Sequence, residues 1–268
     1  AKGLQPPKTW ADLEADQKAI ATDTNGDGKP DHNLMQVLPS DPNWVQLLYQ
    51  EGGTILDSTN KKATFNSAAG VKALEEYKKW ADLGLYWGDD QGDSSGIAGI
   101  KDGRLAMFIN GPYMMGVIKD GAPEQAGKWA VTAAPTPADG QPASYLGGTG
   151  LAIAKGAKHK DLAWKFIQFL LEPNQQLGVA TYAGAAPATT AALESPELTK
   201  PDPYFGNQAP FDVFKATLAT AVHFPYVPQW NDIDQAITDA VTAVLLGKES
   251  SQQALDDAAK QVDDLLAQ

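Results

Sequence analysis

A chain of 268 residues with 43% hydrophobic residues is long enough to bury one large core or two modest ones. Its formal net charge of −12 argues against a nucleic-acid or anionic-membrane surface, because both need clustered Lys and Arg. The sequence contains no cysteine, which excludes disulfides, thiol catalysis and cysteine-ligated metals.

The first predicted helix begins at a capping box. Thr9 occupies the N-cap position and Asp12 stands three residues later, where its carboxylate can reach back to the backbone of the cap. Trp10, Leu13 and Ile20 supply the apolar face, and we expect the helix to end near Thr22.

The next segment has the spacing of the first part of an EF-hand calcium loop. Asp23, Asn25, Asp27 and Asp31 would offer side-chain oxygens, Lys29 its carbonyl, and Gly28 the sharp turn. Leu34 stands where the bidentate Glu is expected, so a structural or weakly bound calcium ion is the most that this loop would hold. An Asx-rich surface turn without an ion is the alternative.

A polar loop precedes the second predicted helix. Ser40, Asp41 and Asn43 are hydrogen-bonding neighbours of Trp44, whose ring would either stack on a sugar or anchor the start of the helix. That helix ends at Gly52-Gly53. A third, amphipathic helix starts at Phe65-Asn66-Ser67 and ends at Gly84, with Trp80 predicted in the core rather than at a ligand.

The central motif is a strand, a turn and a helix. Leu105–Ile109 reads as an apolar strand, Asn110-Gly111-Pro112 as the turn, and Tyr113–Ile118 as the helix. Such a junction offers backbone N–H groups and an aromatic ring at a sheet edge, where ligands bind in open α/β sheets. A plain structural turn with Tyr113 in the core is the alternative.

The second half continues the alternation of strands and helices that predicts an α/β fold. Two strands are predicted at 129–132 and 151–154. Helices are predicted at 161–172 and 211–222, and an extended segment follows at 224–230. Another helix is predicted from Ile233, and a last one begins at Ser250 or Ser251. The buried stripe of the helix at 161–172 is predicted to comprise Leu162, Ala163, Phe166, Ile167, Leu170 and Leu171.

The residues that could carry catalysis indicate a binding protein rather than an enzyme. The sequence has no G-x-S-x-G or H-E-x-x-H pattern, and its three histidines stand in unrelated contexts. The glycines at 147–150 precede a strand, unlike those of a phosphate-binding loop. Aromatic residues instead concentrate at loops and element ends, as in sites for neutral sugars; these are Tyr113, Trp44, Trp87, Tyr226 and Trp230.

Several motifs in one order resemble the extracellular solute-binding proteins of ABC sugar importers, of the maltose/maltodextrin-binding type. They are Pro6-Pro7-Lys8-Thr9-Trp10-Ala11-Asp12-Leu13, the Gly52-Gly53 helix end, Gly103–Met107 with Asn110–Tyr113, Gly147-Gly148 before Leu151–Ile153, and the 161–172 helix followed by Pro187.

The resemblance implies an α/β, periplasmic-binding-protein-like (type II) two-lobe fold. It assigns 1–147 and 223–268 to a complete C-terminal lobe and 148–222 to part of the N-terminal lobe, with hinge crossings near 147–150 and 222–227. Members of this family carry a sheet-forming segment ahead of the Pro-Pro-Lys-Thr-Trp motif. We therefore expect either a fragment or a second polypeptide that supplies the missing part of the lobe.

The resemblance also implies the site and the partners. Tyr113 matches a stacking aromatic residue, the segment Ser40–Trp44 a sugar-contacting loop, and Trp230 a second stacking region. Gly148 and Thr149 match the chain crossing beside the ligand. The expected partners are a sugar or oligosaccharide and an ABC permease, with no nucleic acid. The expected location is extracellular or periplasmic, and the resemblance leaves open whether a lipid anchors the full-length form. No cofactor is expected besides structural Ca²⁺.

Two other functions compete with this one. A glycosidase-like enzyme would use a pair of carboxylates that sequence does not single out. A calcium-dependent binding or scaffold module would be organised around Asp23–Asp31.

Overall fold

The computed structural model describes residues 3–26, 28, 30–38, 43–85 and 96–268. The chain divides into two compact units. Unit 1 comprises Ala1–Ile109, Ala134–Leu146 and Thr220–Gln268, and unit 2 comprises Asn110–Ala133 and Gly147–Ala219. Residues 110–133 therefore group with 147–219, whereas the sequence analysis placed them in the lobe that starts the chain. The assignment of lobes stays a prediction.

The described part of unit 1 contains six α-helices and a two-stranded parallel sheet, in which Tyr145 pairs with Val222. The helices are α1 Trp10–Ile20, α2 Asn43–Gln50, α3 Ala68–Trp80, α4 Ile97–Lys101, α10 Trp230–Leu245 and α11 Ser251–Leu266, and a π-helical turn Ala81–Leu85 follows α3. The strands are β1 Ser144–Leu146 and β2 Ala221–His223.

The capping box predicted for α1 is confirmed. The Thr9 hydroxyl accepts a hydrogen bond from Asp12 N, and the Asp12 carboxylate accepts one from Thr9 N at 2.9 Å. The indole of Trp10 then donates to Gln50 Oε1 at 3.0 Å, and the Gln50 amide donates to Pro135 O. These bonds join α1, α2 and the segment before β1.

The core of unit 1 is aromatic. Trp80 is fully buried, as predicted, and it meets Trp10 edge-on at 6.1 Å between ring centroids and the tilted ring of Tyr77 at 6.1 Å. Edge-to-face pairs of this kind add stability beyond the area they bury. The amphipathic helix predicted here is therefore present. It ends at Trp80, and Gly84, where the sequence predicted its end, lies inside the following turn Ala81–Leu85 with a left-handed φ of 89°.

A buried polar cluster links α1 to the chain after it. The Gln17 side chain donates to Asn33 Oδ1 at 2.6 Å and to Leu83 O at 3.1 Å, and its oxygen accepts from Leu34 N at 2.8 Å. Gln17 is completely buried, so each of these groups depends on the others for a partner.

Unit 2 is helical in all its described elements. It contains α5 Met114–Gly121, α6 Lys160–Leu170, α7 Pro173–Ala183, α8 Thr190–Leu193 and α9 Pro210–Leu218, with short 3₁₀ turns at Pro123–Gln125, Pro196–Thr199 and Pro203–Phe205. Helices α5 and α7 pack backbone to backbone, since a Cβ atom on Gly116 would lie 2.8 Å from Ala183 O.

Four sequence predictions about strands and helix ends are wrong in detail. Residues 105–109 form an isolated parallel bridge, Asn33 to Leu105, rather than a strand. Residues 129–132 and 151–154 belong to no strand. The helix predicted at 211–222 ends at Leu218, because β2 takes Ala221–His223 into the sheet.

The burial predicted for α6 is also wrong. Its helix forms as expected, but Leu162, Phe166 and Leu171 are exposed, and Ala163, Ile167 and Leu170 are only half-buried. Periodicity gives the direction of an apolar stripe, whereas burial needs a neighbouring element that covers it.

We expect Gln17→Leu to lower the free energy of unfolding of unit 1 by about 2 kcal/mol or more, because it leaves the Leu34 N–H and the Asn33 amide without their buried partner. Urea denaturation followed by tryptophan fluorescence measures the change. Gln261→Leu, at an exposed position of α11, is the matched control and should leave the midpoint unchanged. Equal midpoints for the two variants would contradict the role of the cluster.

Candidate functional site

The first feature of unit 1 that suits a ligand is a row of aromatic rings beside its sheet. Tyr145 of β1 meets Phe224 edge-on at 5.2 Å, and Phe224 meets Trp230 at 5.0 Å with an interplanar angle of 81°. Phe224 directly follows β2 and Trp230 begins α10, so the sheet register brings the three rings together. Pro225 lies in the intervening residues 224–227, which belong to no helix or strand. The extended segment predicted at 224–230 is wrong at its end, because residues 228 and 229 form a turn and Trp230 begins α10.

A groove of about 400 Å³ opens at the same edge. The segment 222–226 forms one wall, and the end of α2 with the turn at 54–60 forms the other. Its lining residues are Tyr49, Thr54, Ile55, Leu56, Asn60, Val222, His223, Phe224, Pro225 and Tyr226. No Asp, Glu, Lys or Arg belongs to that set, so among the described residues the groove offers aromatic and apolar surface with neutral polar groups.

Two tyrosines line the groove in different environments. Tyr226 is 76% exposed, which leaves its ring free for contact. Tyr49 is buried, and this burial raises its pKa to about 12. Its phenol is protonated at neutral pH, as that of any ordinary tyrosine is. Asn60 stands in the left-handed region with a φ of 55°, which an asparagine in a tight turn tolerates.

Sequence reasoning found only part of this site. It singled out Tyr226 and Trp230, but it missed Tyr49, Tyr145 and Asn60 as site candidates, because their positions depend on the packing of α2 and β1. The turn-forming run Asp57-Ser58-Thr59-Asn60 was the one available signal, and it does not reveal what the turn faces.

Tyr113 lies in unit 2, immediately before α5, and is 50% exposed. This exposure removes the alternative in which its ring packs in the core. Asn110 Oδ1 accepts from Gly111 N at 2.8 Å, which tightens the turn, and a Cβ atom on Gly111 would lie 3.3 Å from the Tyr113 ring. The ring therefore lies over the turn with half of its surface in solvent.

Gly148 and Thr149, also in unit 2, are exposed, and a Cβ atom on Gly148 would meet nothing within 4 Å. Their contact with a ligand stays a prediction, as does that of Tyr113. Trp230 is half-buried within the aromatic row. Ser40, Asp41 and Trp87 lie outside the described residues.

The expectation that Trp44 stacks on a ligand is corrected by its burial. Its side chain is 1% exposed and meets Phe65 edge-on at 6.3 Å, so neither ring face is free. Asn43, the first residue of α2, is buried as well. Trp44 therefore has the second role considered from sequence, that of a hydrophobic anchor at the start of the helix.

The Asp23–Asp31 loop is closed by its own hydrogen bonds. Asp23 accepts from Gly26 N and Gly28 N, and Asp31 accepts from Thr24 Oγ1 at 2.6 Å, from Thr24 N at 2.7 Å and from the Asn25 amide. Leu34 is buried and cannot supply a twelfth-position oxygen. Asp27 and Lys29 lie outside the described residues. Among the residues that the structure describes, no three or more His, Asp or Glu side chains are grouped so that they could hold a metal ion.

The hydrogen bonds from Thr24 hold the pKa of Asp31 below its ordinary value of 3.8. Because the folded pKa is the lower one, the ionised carboxylate stabilises the loop above the ordinary Asp pKa and this contribution is lost as the pH falls through the depressed value. We expect the Thr24 amide to show this transition when the pH is lowered from 6 to 2 under NMR observation.

Asp31→Asn should abolish the transition at Thr24, and Asp57→Asn, which removes the carboxylate of another exposed turn, should leave it intact. A transition that persists in Asp31→Asn would contradict the assignment.

Within the described part of the chain, no helix combines the length and apolarity that a membrane crossing requires.

Comparison with known proteins gives one consistent family. A sequence profile described as bacterial extracellular solute-binding protein matches residues 1–206. The lactose-binding protein of Rhizobium radiobacter is 26% identical over 223 residues, which is 82% of this chain and 53% of that protein.

Two solved structures share the fold. An ABC transporter solute-binding protein of Thermotoga lettingae, bound with α-D-tagatose, is 27% identical with a TM-score of 0.79, over 98% of this chain and 65% of that one. The GacH receptor of Streptomyces glaucescens, solved unliganded and with acarbose, is 25% identical with a TM-score of 0.81, over 99% and 66%.

The chain spans about six-tenths of the length of the curated relatives that match nearly all of it, 61% in the case of a Brucella abortus binding protein. The predicted α/β, periplasmic-binding-protein-like fold class is confirmed by the solved structures that share it. On the match over 206 of its 268 residues, the chain belongs to the bacterial extracellular solute-binding protein family.

Proposed function

We propose that this chain binds a sugar or oligosaccharide outside the cytoplasmic membrane and delivers it to the permease of an ABC importer. The observation that carries the proposal is the groove of unit 1, which combines the exposed Tyr226 ring with neutral hydrogen-bonding groups and no formal charge. Relatives whose names state lactose, tagatose or acarbose as ligands support the same class of ligand.

The chemistry of the groove suits a neutral sugar. The C–H face of a pyranose packs on an aromatic ring, while its hydroxyls need donors and acceptors without the desolvation cost of an ion. Tyr226 offers the ring, Asn60 an amide, and His223 an imidazole. Tyr49 adds a phenol hydroxyl, which can donate and accept a hydrogen bond.

Unit 2 offers a second aromatic surface at Tyr113. Its half-exposed ring before α5 supports the stacking role that the family resemblance implies. On the grounds of the family resemblance we also propose ligand contacts at Trp230 in unit 1 and, separately, at Gly148 and Thr149 in unit 2. A permease partner belongs to this proposal as well.

We expect Tyr226→Ala to weaken sugar binding about tenfold, equivalent to ~1.4 kcal/mol, because it removes the exposed ring of the groove. Isothermal titration of the purified chain with lactose, D-tagatose and acarbose measures the affinity, and tryptophan fluorescence reports the change near Trp230. The sugar recovered afterwards should be chemically unchanged, which distinguishes binding from hydrolysis.

Tyr182→Ala is the matched control, since Tyr182 is 86% exposed on α7 and lies outside the groove. It should leave the affinity unchanged. Equal losses in the two variants, or no heat with any of the three sugars, would contradict the proposal.

We also propose that the Asp23–Asp31 loop takes a structural Ca²⁺. The observation in its favour is that Asp23 folds the loop by accepting N–H groups from Gly26 and Gly28, which directs both of its oxygens inward. We expect Ca²⁺ to raise the melting temperature, an effect that Asp31→Asn abolishes and Asp57→Asn retains. A melting temperature that Ca²⁺ does not change would contradict the proposal.

A further inference from the structure

The sequence contains two Asn-Gly pairs, Asn25-Gly26 in unit 1 and Asn110-Gly111 in unit 2. An asparagine followed by glycine is prone to lose its side-chain amide as ammonia, because glycine has no Cβ atom to hinder the approach of its own nitrogen to the asparagine side chain. Both asparagines are exposed, so access of water does not distinguish them. Their hydrogen bonds do.

The reaction is a cyclisation followed by hydrolysis. The glycine nitrogen bonds to Cγ of the asparagine and gives its proton to a base in the solvent, while the bond from Cγ to Nδ2 breaks and ammonia leaves with a proton. Water then opens the resulting succinimide to aspartate or isoaspartate. The net change is asparagine and water to an acid and ammonia. It requires a glycine nitrogen close to Cγ, an N–H that can lose its proton and a side-chain amide that can leave.

The Asn110 pair holds its reacting groups together. Gly111 N donates to Oδ1 of Asn110 at 2.8 Å. Because Oδ1 is bonded to Cγ at about 1.2 Å, the nitrogen lies within about 4 Å of the carbon that it would attack. The acceptor of this hydrogen bond is the neutral carbonyl of the reacting amide itself. The turn therefore keeps the nucleophile beside its target.

The Asn25 pair has the opposite arrangement, in which each reacting group is bound to a carboxylate. Gly26 N donates to Oδ1 of Asp23 at 2.6 Å, and Nδ2 of Asn25 donates to Oδ1 of Asp31 at 3.1 Å. The Asn25 backbone N–H also donates to Asp31, at 3.2 Å. Hydrogen bonds to a charged acceptor are the stronger kind. A neighbouring negative charge also opposes loss of the Gly26 proton, since it would place two negative charges side by side.

We infer that Asn110 is a site of spontaneous deamidation in the folded protein, whereas the hydrogen bonds of the Asp23–Asp31 loop protect Asn25. The product carries a carboxylate at position 110, and in its isoaspartate form one more methylene group in the backbone. The reaction consumes the hydrogen bond that tightens the turn over which the Tyr113 ring lies. Deamidation therefore changes the support of that ring. The inference does not depend on sugar binding.

Peptide mapping by mass spectrometry tests the inference. The chain is incubated at mildly alkaline pH without calcium, once folded and once in guanidinium chloride, and the rate of conversion of each asparagine to an acid is measured. Denaturation removes the hydrogen bonds and keeps the sequence neighbours, so each pair serves as its own control. We expect the ratio of the rate at Asn110 to the rate at Asn25 to be at least about tenfold higher in the folded chain.

A ratio that is equal in the folded and the denatured chain, or lower in the folded chain, would overturn the inference. So would a folded chain in which Asn110 does not react. Asn110→Gln should remove the modified peptide at that position, which verifies the assignment.

Asp23→Ala tests the protection at Asn25 directly, because it removes the acceptor of the Gly26 N–H. We expect the rate at Asn25 in the folded variant to rise at least about tenfold and the rate at Asn110 to stay unchanged. Asp57→Ala, which removes the carboxylate of another turn, is the matched control and should change neither rate. An Asn25 that reacts as slowly in Asp23→Ala as in the original chain would contradict the protective role of the loop.

Discussion

Unit 1 depends on the complete burial of one face of α3. Leu74, Tyr77 and Trp80 are fully buried, and Trp80 meets Trp10 of α1 edge-on. The helices α10 and α11 pack on the same core, and α2 lies between α3 and β1. Because protein interiors are close-packed, these rings determine where each neighbouring element can lie. The positions of the sheet and of the groove beside it follow from that packing.

The groove therefore owes its character to residues that are distant in sequence. Tyr49 lies in the last turn of α2, Asn60 stands in a turn, and Tyr226 follows β2, yet the core places all three around one opening of about 400 Å³. Aromatic rings and neutral polar groups in a concave setting are the usual means of binding an uncharged polar ligand. This arrangement is the basis on which we propose a sugar as the ligand.

Unit 2 also contains a helix with an amphipathic pattern, α6, but the other described elements do not enclose its apolar face. The amphipathic patterns of α3 and α6 are comparable, but α3 is enclosed by other helices, whereas α6 keeps large apolar side chains in solvent. Periodicity alone therefore does not decide burial, because an apolar helix face is buried only where another element packs on it.

The sequence by itself determined the local structure wherever the cause is local. The capping box at Thr9 and the apolar face of α3 follow from hydrogen bonds and helical period within a few residues. The family resemblance came from motif order in the same way. Only the tertiary structure decided that Trp44 is buried, that Tyr113 is exposed, that the 105–109 segment makes a single bridge and that the apolar face of α6 is exposed. Burial and strand pairing depend on which distant segments are present to make contact, and no local pattern carries that information.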